Sequence, residues 1–548
     1  MATRGQGSLV HALDYLPLLA FALFFYAIPI CYVLASINVQ ELAGLLNDPY
    51  VLKLIWNTIL QAVASTIPSI VLAIPVAYFF ANYAFRGSKI VRNLLLTPFF
   101  VPAFAVTEGM IIMLGERGLV NQFLELILGT RQPVSDVLYS VTAVVMTHVI
   151  YYLPLAMLIL EQGFSSVDQD QLDAAHVSGA DWLTTLRVVY LSHLVPFLAA
   201  SAILVFAFSF ITYSTPILIG GKFTTLEVEI YSTRTRSVSS SLAIIQLAMT
   251  LAISVLVMAF RERTYKSSLG SARPLSREEG QSHTLGRRAL LVYCILVAVI
   301  ELMPVYLVLV QSVSQSAVVL FPTSISLEGF SALFAQEFGF GVGFIDVLLT
   351  SLSIAFVASL CSVLLSILIA WRGLQSKRAR ESTGLLLSLP LSISRSSLAL
   401  GMMLSYGFGM LQLYGSWILF ILGDIALIVP LIFRVIEASW LRIGSEVREA
   451  ASTFGASDLY RLFRIELPLI APAVASSFML AFSSSISEFT FANFFSTLNL
   501  MTLPISVATL LDLRKFGPAA ALNAVIILIV VAAEVTSPAV SQEALRVM

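Results

Sequence analysis

Charge is what this sequence has least of: Asp, Glu, Lys and Arg together make up 11% of its 548 residues, against 58% hydrophobic residues. A chain so poor in charge cannot present a hydrated surface on every side, which excludes an ordinary soluble globular protein. The net charge of -1 provides no global field for a nucleic acid or an acidic partner. Only 3 cysteines occur, Cys31, Cys294 and Cys361. They lie far apart in apolar runs, without the paired spacing of a disulfide framework or a metal site. The histidines, His11, His148, His176, His193 and His283, are scattered and include no H-E-x-x-H arrangement, so no metal site is expected and His148 reads as a packing residue. A phosphate-cradling G-x-x-x-x-G-K-[ST] loop is missing too, since Gly220-Gly221-Lys222 lacks the spacing and runs into Phe223. Clustered catalytic carboxylates are also lacking, so no catalytic residue is assigned and an enzyme is not expected.

What the sequence has instead is apolar runs long enough to cross a hydrocarbon core of roughly 30 Å as helices of about 20 residues. A membrane β-barrel would show alternating segments of about ten residues, a pattern not seen here. The reading is an all-α membrane protein of about twelve transmembrane helices. Six are predicted near 17–37, 54–80, 94–115, 138–160, 194–219 and 242–260. Six more are predicted near 289–312, 346–371, 384–408, 415–437, 468–495 and 519–537. Pro98, Pro102 and Pro390 interrupt two of them. The first run is too long for a signal-peptide core and more spans follow, so it counts as a helix.

Basic residues set the orientation, because Lys and Arg collect in short cytoplasmic loops. Arg86, Lys89 and Arg92 follow the second span, Arg261 to Arg288 the sixth, and Arg372, Lys377, Arg378 and Arg380 the eighth. The stretch from Gln315 to Phe344 has neither Lys nor Arg and is expected outside, which places both termini in the cytoplasm. Residues 261–288 form the one long polar, Ser/Gly-rich stretch and read as a cytoplasmic linker between repeats 1–260 and 289–548. One constant offset aligns Pro154 with Pro430, Glu161 with Glu437, Asp173-Ala174-Ala175 with Glu449-Ala450-Ala451, Gly179 with Gly455, and Pro196 with Pro472. A second register relates Asn57-Thr58 to Thr350-Ser351. Each half has an even number of spans, so the repeats are parallel.

After the fourth span of each half comes a helical segment too polar for lipid. In the second half it reads Glu449-Ala450-Ala451, then Gly455, then Ile465, Glu466, Leu467 and Pro468. This spacing resembles the E-A-A-x-x-x-G and I-x-L-P signature of binding-protein-dependent ABC importer permeases. The first copy departs from it, with Asp173 for the glutamate and Val189-Tyr190-Leu191-Ser192 for I-x-L-P. Paired alanines favour a compact helix, and the glycine would end it. Length, halves and linker resemble the fused permeases of ferric-iron and thiamine importers, as do Gly220 to Tyr231 and Thr502-Leu503-Pro504-Ile505.

The resemblance implies a type I ABC importer permease fold and an inner-membrane location. It implies ATP bound by a separate homodimer of ABC ATPase subunits, a partner solute-binding protein outside, and a small solute, ferric iron or thiamine. Asp173, Ala174, Ala175, Gly179, Glu449, Ala450, Ala451, Gly455, Leu467 and Pro468 would then form the ATPase-coupling loops. Glu108, Arg395 and Glu488 fall inside predicted spans, where ionised groups face a pore or pair with one another. With Thr212, which aligns with Glu488, they are candidates for a translocation path. The competing reading, a proton-coupled secondary transporter with two six-span halves, would carry a G-x-x-x-D-R-x-G-R-R loop after the second span. Here that loop reads Phe85-Arg86-Gly87-Ser88-Lys89.

Overall fold

The computed structural model describes residues 15–83, 87–129, 136–233, 235–268, 285–314, 320–321, 324–339, 341–373, 383, 386–387 and 393–535. Both terminal segments and most of the predicted linker, residues 269–284, lie outside the described residues. In chain order the first helices are α1 (Tyr15–Ala35), α2 (Pro49–Asn82), α3 (Ser88–Phe100), α4 (Ala103–Leu114), α5 (Leu119–Leu128) and α6 (Val141–Ser165). Then come α7 (Gln169–Val177), α8 (Leu183–Phe210), α9 (Ser214–Ile219), α10 (Leu226–Ser232), α11 (Arg236–Ser268) and α12 (Leu285–Ser312). The second half contains α13 (Phe344–Gly373), α14 (Arg395–Met402), α15 (Trp417–Leu441) and α16 (Ser445–Thr453). It ends with α17 (Asp458–Ile486), α18 (Thr490–Phe495), α19 (Leu503–Asp512) and α20 (Phe516–Val535). Among the described residues the one sheet is a small antiparallel hairpin of β1 (Glu337–Gly339) and β2 (Val342–Gly343).

Ten of these helices are long and apolar enough to cross a membrane, and an eleventh span results if the pair α3 and α4 is counted as one. The bend between Ser88–Phe99 and the stretch Ala103–Leu128, which takes in α4 and α5, is 93°. Pro102 has no amide hydrogen and forces Val101 into the extended region, φ -74° and ψ 141°, which accounts for the break within the span predicted near 94–115. The span predicted near 384–408 lies partly outside the described residues; its described portion is α14 and the π turn Met403–Gly407.

Two expectations are corrected. The spans predicted near 194–219 and 468–495 are not continuous. Helix α8 stops at Phe210 and α9 follows, while α17 stops at Ile486 and α18 follows. At the second break the Glu488 Oε1 accepts the Phe491 amide at 3.0 Å, so a side chain caps a new helix where the old one ends.

Helix α2 shows why these sequences pack as they do in lipid. Its buried face carries Thr58, Gln61, Ala62, Ser65, Ser69, Ala73 and Ala77, while Trp56, Val63, Ile67 and Val71 point outward. Small residues let helices approach closely, and the hydroxyls return their hydrogen bonds to the helix itself. Thr58, Ser65 and Ser69 donate to carbonyls four residues back at 2.8, 2.6 and 2.7 Å. In α13 Ser351, Ala355, Ala358, Ser359, Ser362 and Ala370 are the small residues of the buried face, and Ser359 donates to the Ala355 carbonyl at 2.6 Å.

The chain forms two compact units. One comprises residues 43–229 and 245–329; α2, α6 and α8 pack together in it, and α12 lies on α3 and α4. A Cβ on Gly109 of α4 would come within 2.1 Å of the Pro304 carbonyl oxygen of α12. The other unit comprises residues 1–42, 230–244 and 330–548, built on α13, α15 and α17, with α1 against α14. There the Tyr26 hydroxyl donates to the Ala426 carbonyl, and the Tyr406 ring stacks on Phe24 with centroids 4.7 Å apart. Each unit thus takes its outlying span from the opposite half of the sequence.

Candidate functional site

The two polar segments singled out by the alignment are short exposed helices, α7 and α16, and both end in the same hydrogen-bonded cap. Gly179 and Gly455 adopt φ of +74° and +78°, the left-handed region that glycine enters without a Cβ penalty. The amide after each glycine turns back to the helix: Ala180 donates to the Ala175 carbonyl, and Ala456 to Ala451, both at 3.0 Å. This is the Schellman arrangement, in which the acceptor lies four residues before the left-handed residue. The A-x-x-x-G spacing therefore has a geometric origin, because the second alanine supplies that acceptor carbonyl. Open space surrounds both glycines. The constraint at both positions is therefore the backbone angle.

Each helix is followed by a second capped turn at equivalent positions. The Asp181 Oδ1 accepts the Thr184 amide at 3.1 Å, and the Ser457 hydroxyl accepts the Tyr460 amide at 3.3 Å. Thr184, through its hydroxyl and its amide, holds the Asp181 carboxyl below the ordinary aspartate range. Asp173, Ala174, Glu449 and Ala450 are exposed, Ala175 is half-buried and Ala451 is buried. Leu467 and Pro468 open the membrane part of α17.

Of the path candidates, Arg395 and Glu488 are brought together, with Nη1 3.9 Å from Oε2. Glu108 is fully buried on α4, in the other unit, next to Gly109. Thr212 sits at the break after α8 and is half-buried. Sequence reasoning missed two further carboxyls, Asp424 on α15 and Glu301 on α12, although one acidic residue inside an apolar run is the signal that selected Glu108. The Ser485 hydroxyl donates to Asp424. Asp424, Glu488, Ser351, Ser485 and Thr502 line one small cavity of about 10 Å³. At the offset relating the repeats, Asp424 aligns with His148, whose Nδ1 lies 3.1 Å from the Ser65 hydroxyl.

The resembling segments after the broken spans also correspond in space. The Thr58 hydroxyl of α2 accepts the Leu226 amide at 3.0 Å, capping α10, and the Ser351 hydroxyl of α13 accepts the Leu503 amide at 2.8 Å, capping α19. The duplicated glutamates are both paired, Glu161 with Arg92 of α3 and Glu437 with Arg434 of its own helix, each at 3.0 Å.

Residues 63–266 and 362–542, one stretch from each half, match the family described as binding-protein-dependent transport system inner membrane component. The chain belongs to this family. It is a permease with two fused family domains, a transport component of the membrane and not an enzyme. The permease is 22% identical to the ferric transport system permease protein FbpB of Actinobacillus pleuropneumoniae, over 90% of this chain and 72% of that one. It is 24% identical to the thiamine transport system permease protein ThiP of Brucella abortus (strain 2308), over 83% and 82%. The relative named "Probable ABC transporter permease protein y4fN" of Sinorhizobium fredii is 22% identical over 83% and 81%.

Proposed function

We propose that this permease carries a small solute, ferric iron before thiamine, handed over by an external binding protein, by alternating access driven by a separate homodimer of ABC ATPases. ATP is bound by that partner, and this chain carries no cofactor of its own. Supporting this reading above all is the duplicated exposed helix with an acidic residue directly before two alanines and a left-handed glycine cap. It is a rigid, compact projection of the kind that transmits closure of a soluble pair to spans. Asp173 to Gly179 and Glu449 to Gly455 each dock into one ATPase subunit, and Leu467 and Pro468 pass the motion into α17. Both termini are cytoplasmic, with residues 261–288 linking repeats 1–260 and 289–548 on the same side. Arg395, Glu488, Glu108 and Thr212 line the path, with Asp424 beside Glu488.

The test is to replace both cap glycines with valine, a β-branched residue for which a positive φ is a genuine outlier. Co-purification of the ATPase should be lost and uptake of radiolabelled ferric iron should fall about tenfold or more, since about 1.4 kcal/mol of docking energy is worth that factor. Glu449→Lys should have a smaller effect, because exposed ion pairs are worth only about 0–1 kcal/mol. Uptake at the normal rate with both glycines replaced would show that these two loops do not couple the ATPase to the spans. Orientation is tested separately by cysteine labelling at Ser331 in a variant free of native cysteines. Labelling from the outside only is expected, and labelling from the cytoplasmic side alone would overturn the topology.

A further inference from the structure

Helices α7 and α16 share their caps but are held against their spans by different chemistry. Glu466, at the start of the membrane part of α17, is 2% exposed. Its Oε1 lies 3.4 Å from Arg448 Nε on α16 and 3.2 Å from Arg461 Nε. Arg448 also donates to the Trp440 carbonyl at the end of α15, at 3.2 Å. Arg461 reaches Asp458 at 3.2 Å and the Ser452 hydroxyl of α16 at 3.4 Å. One buried carboxylate therefore gathers α15, α16 and α17.

At the offset that aligns Pro154 with Pro430, Arg448, Arg461 and Glu466 fall on Leu172, Thr185 and Tyr190. These three are uncharged, and they are buried to 6%, 5% and 8% exposure. Tyr190 takes the central place: its hydroxyl donates to Asn82 Oδ1 at 3.1 Å, and its ring meets those of Tyr78 and Phe164 edge-on at 5.7 and 5.8 Å. The first repeat thus has no ion at these three places, and there Tyr190 is fixed to α2 and α6.

We propose that Glu466 is the positioning residue of the second coupling loop, clamping α16 to α17 so that the two move as one body. The proposal rests on the coupling-loop reading of α7 and α16. Its energetic signature is non-additivity. Removing the carboxylate alone leaves two guanidiniums facing each other in a half-buried site, whereas replacing the whole set with groups of the other repeat removes the charges together.

The experiment compares E466Q with the triple variant R448L/R461T/E466Y in the full-length permease in lipid nanodiscs. Amide hydrogen exchange across residues 445–466 is measured without ATPase, and ferric iron moved per ATP hydrolysed is measured after adding the ATPase that co-purifies. E466Q should speed exchange by about tenfold or more, as expected when a locally closing network opens, and lower the coupling ratio about fivefold or more. The triple variant should return both quantities to within about twofold of the parent, because it removes the buried charges as a set. Unchanged exchange in E466Q, or a triple variant as loose as E466Q, would overturn the clamp. Exchange that behaves as expected while the coupling ratio never moves would leave the clamp standing and refute the coupling role of the loop.

Discussion

At the residue scale the most informative side chains are small hydroxyls that close a neighbouring helix. Thr58 and Ser351 each accept a buried amide at the start of a short helix. Removing the acceptor leaves that donor unsatisfied in a buried site, which costs about 1–3 kcal/mol. Thr58→Val and Ser351→Ala should each lower unfolding stability by about that amount, as read from denaturant unfolding in detergent; stability unchanged in both would mean the amides find other partners. The left-handed glycines give a second measure. Gly455→Ala adds a Cβ where space is open but the backbone is αL, so the loss should be about 1–2 kcal/mol of local stability, visible as faster exchange at Ala456. These glycines were legible in sequence because the A-x-x-x-G spacing is set by a local cap. Glu466 and Tyr190 were not, since their role depends on three helices meeting, and the repeat alignment of their positions was the only available trace.

At the element scale, hydropathy located the apolar helices but not their breaks. A window averaged over about 19 residues cannot see that Val101 and Pro102 turn the chain, or that Ser487 and Glu488 start a new cap. The same averaging hid Asp424 and Glu301, each a carboxyl deep within an apolar run. Helix approach can be tested where the backbone itself is the contact. Gly109 of α4 faces the Pro304 carbonyl at a distance that leaves no room for a Cβ. Gly109→Ala must push α4 from α12 or distort one of them, at a cost of about 1–3 kcal/mol for overpacking. The variant should show a lower melting temperature by size-exclusion after heating, while Gly286→Ala, which meets open space on the same helix α12, should not. Equal behaviour of the two would show that α4 and α12 are not packed at that point.

At the scale of the whole molecule, the sequence repeats and the compact units divide the chain differently. The repeat is a pattern of residues, legible because Pro154, Glu161 and Gly179 recur at one offset. The unit is a pattern of burial, and no periodicity encodes which half will cover a given face. Helix α12 belongs by sequence to the second half but packs within the unit that contains α2, α6 and α8. Helix α1 belongs to the first half but gives the Tyr26 hydroxyl to Ala426 and the Phe24 carbonyl to Tyr406 in the other unit. Neither half of the chain can therefore complete its own core. Cutting the gene between the codons for Ser276 and Arg277, inside the predicted linker, should leave function intact when both fragments are made together, because the break falls outside every described helix. Made alone, the N-terminal fragment lacks the cover of α12 over Gly109, and the C-terminal fragment lacks α1 and leaves the Ala426 and Phe24 contacts unmade. Each should be degraded or elute as an aggregate, whereas the pair should co-purify through a tag on either one and restore uptake. A C-terminal fragment that is monodisperse by itself and melts at the temperature of the intact chain would show that α1 contributes nothing to that unit, and the exchange of outlying spans would then be a feature of connectivity without energetic weight.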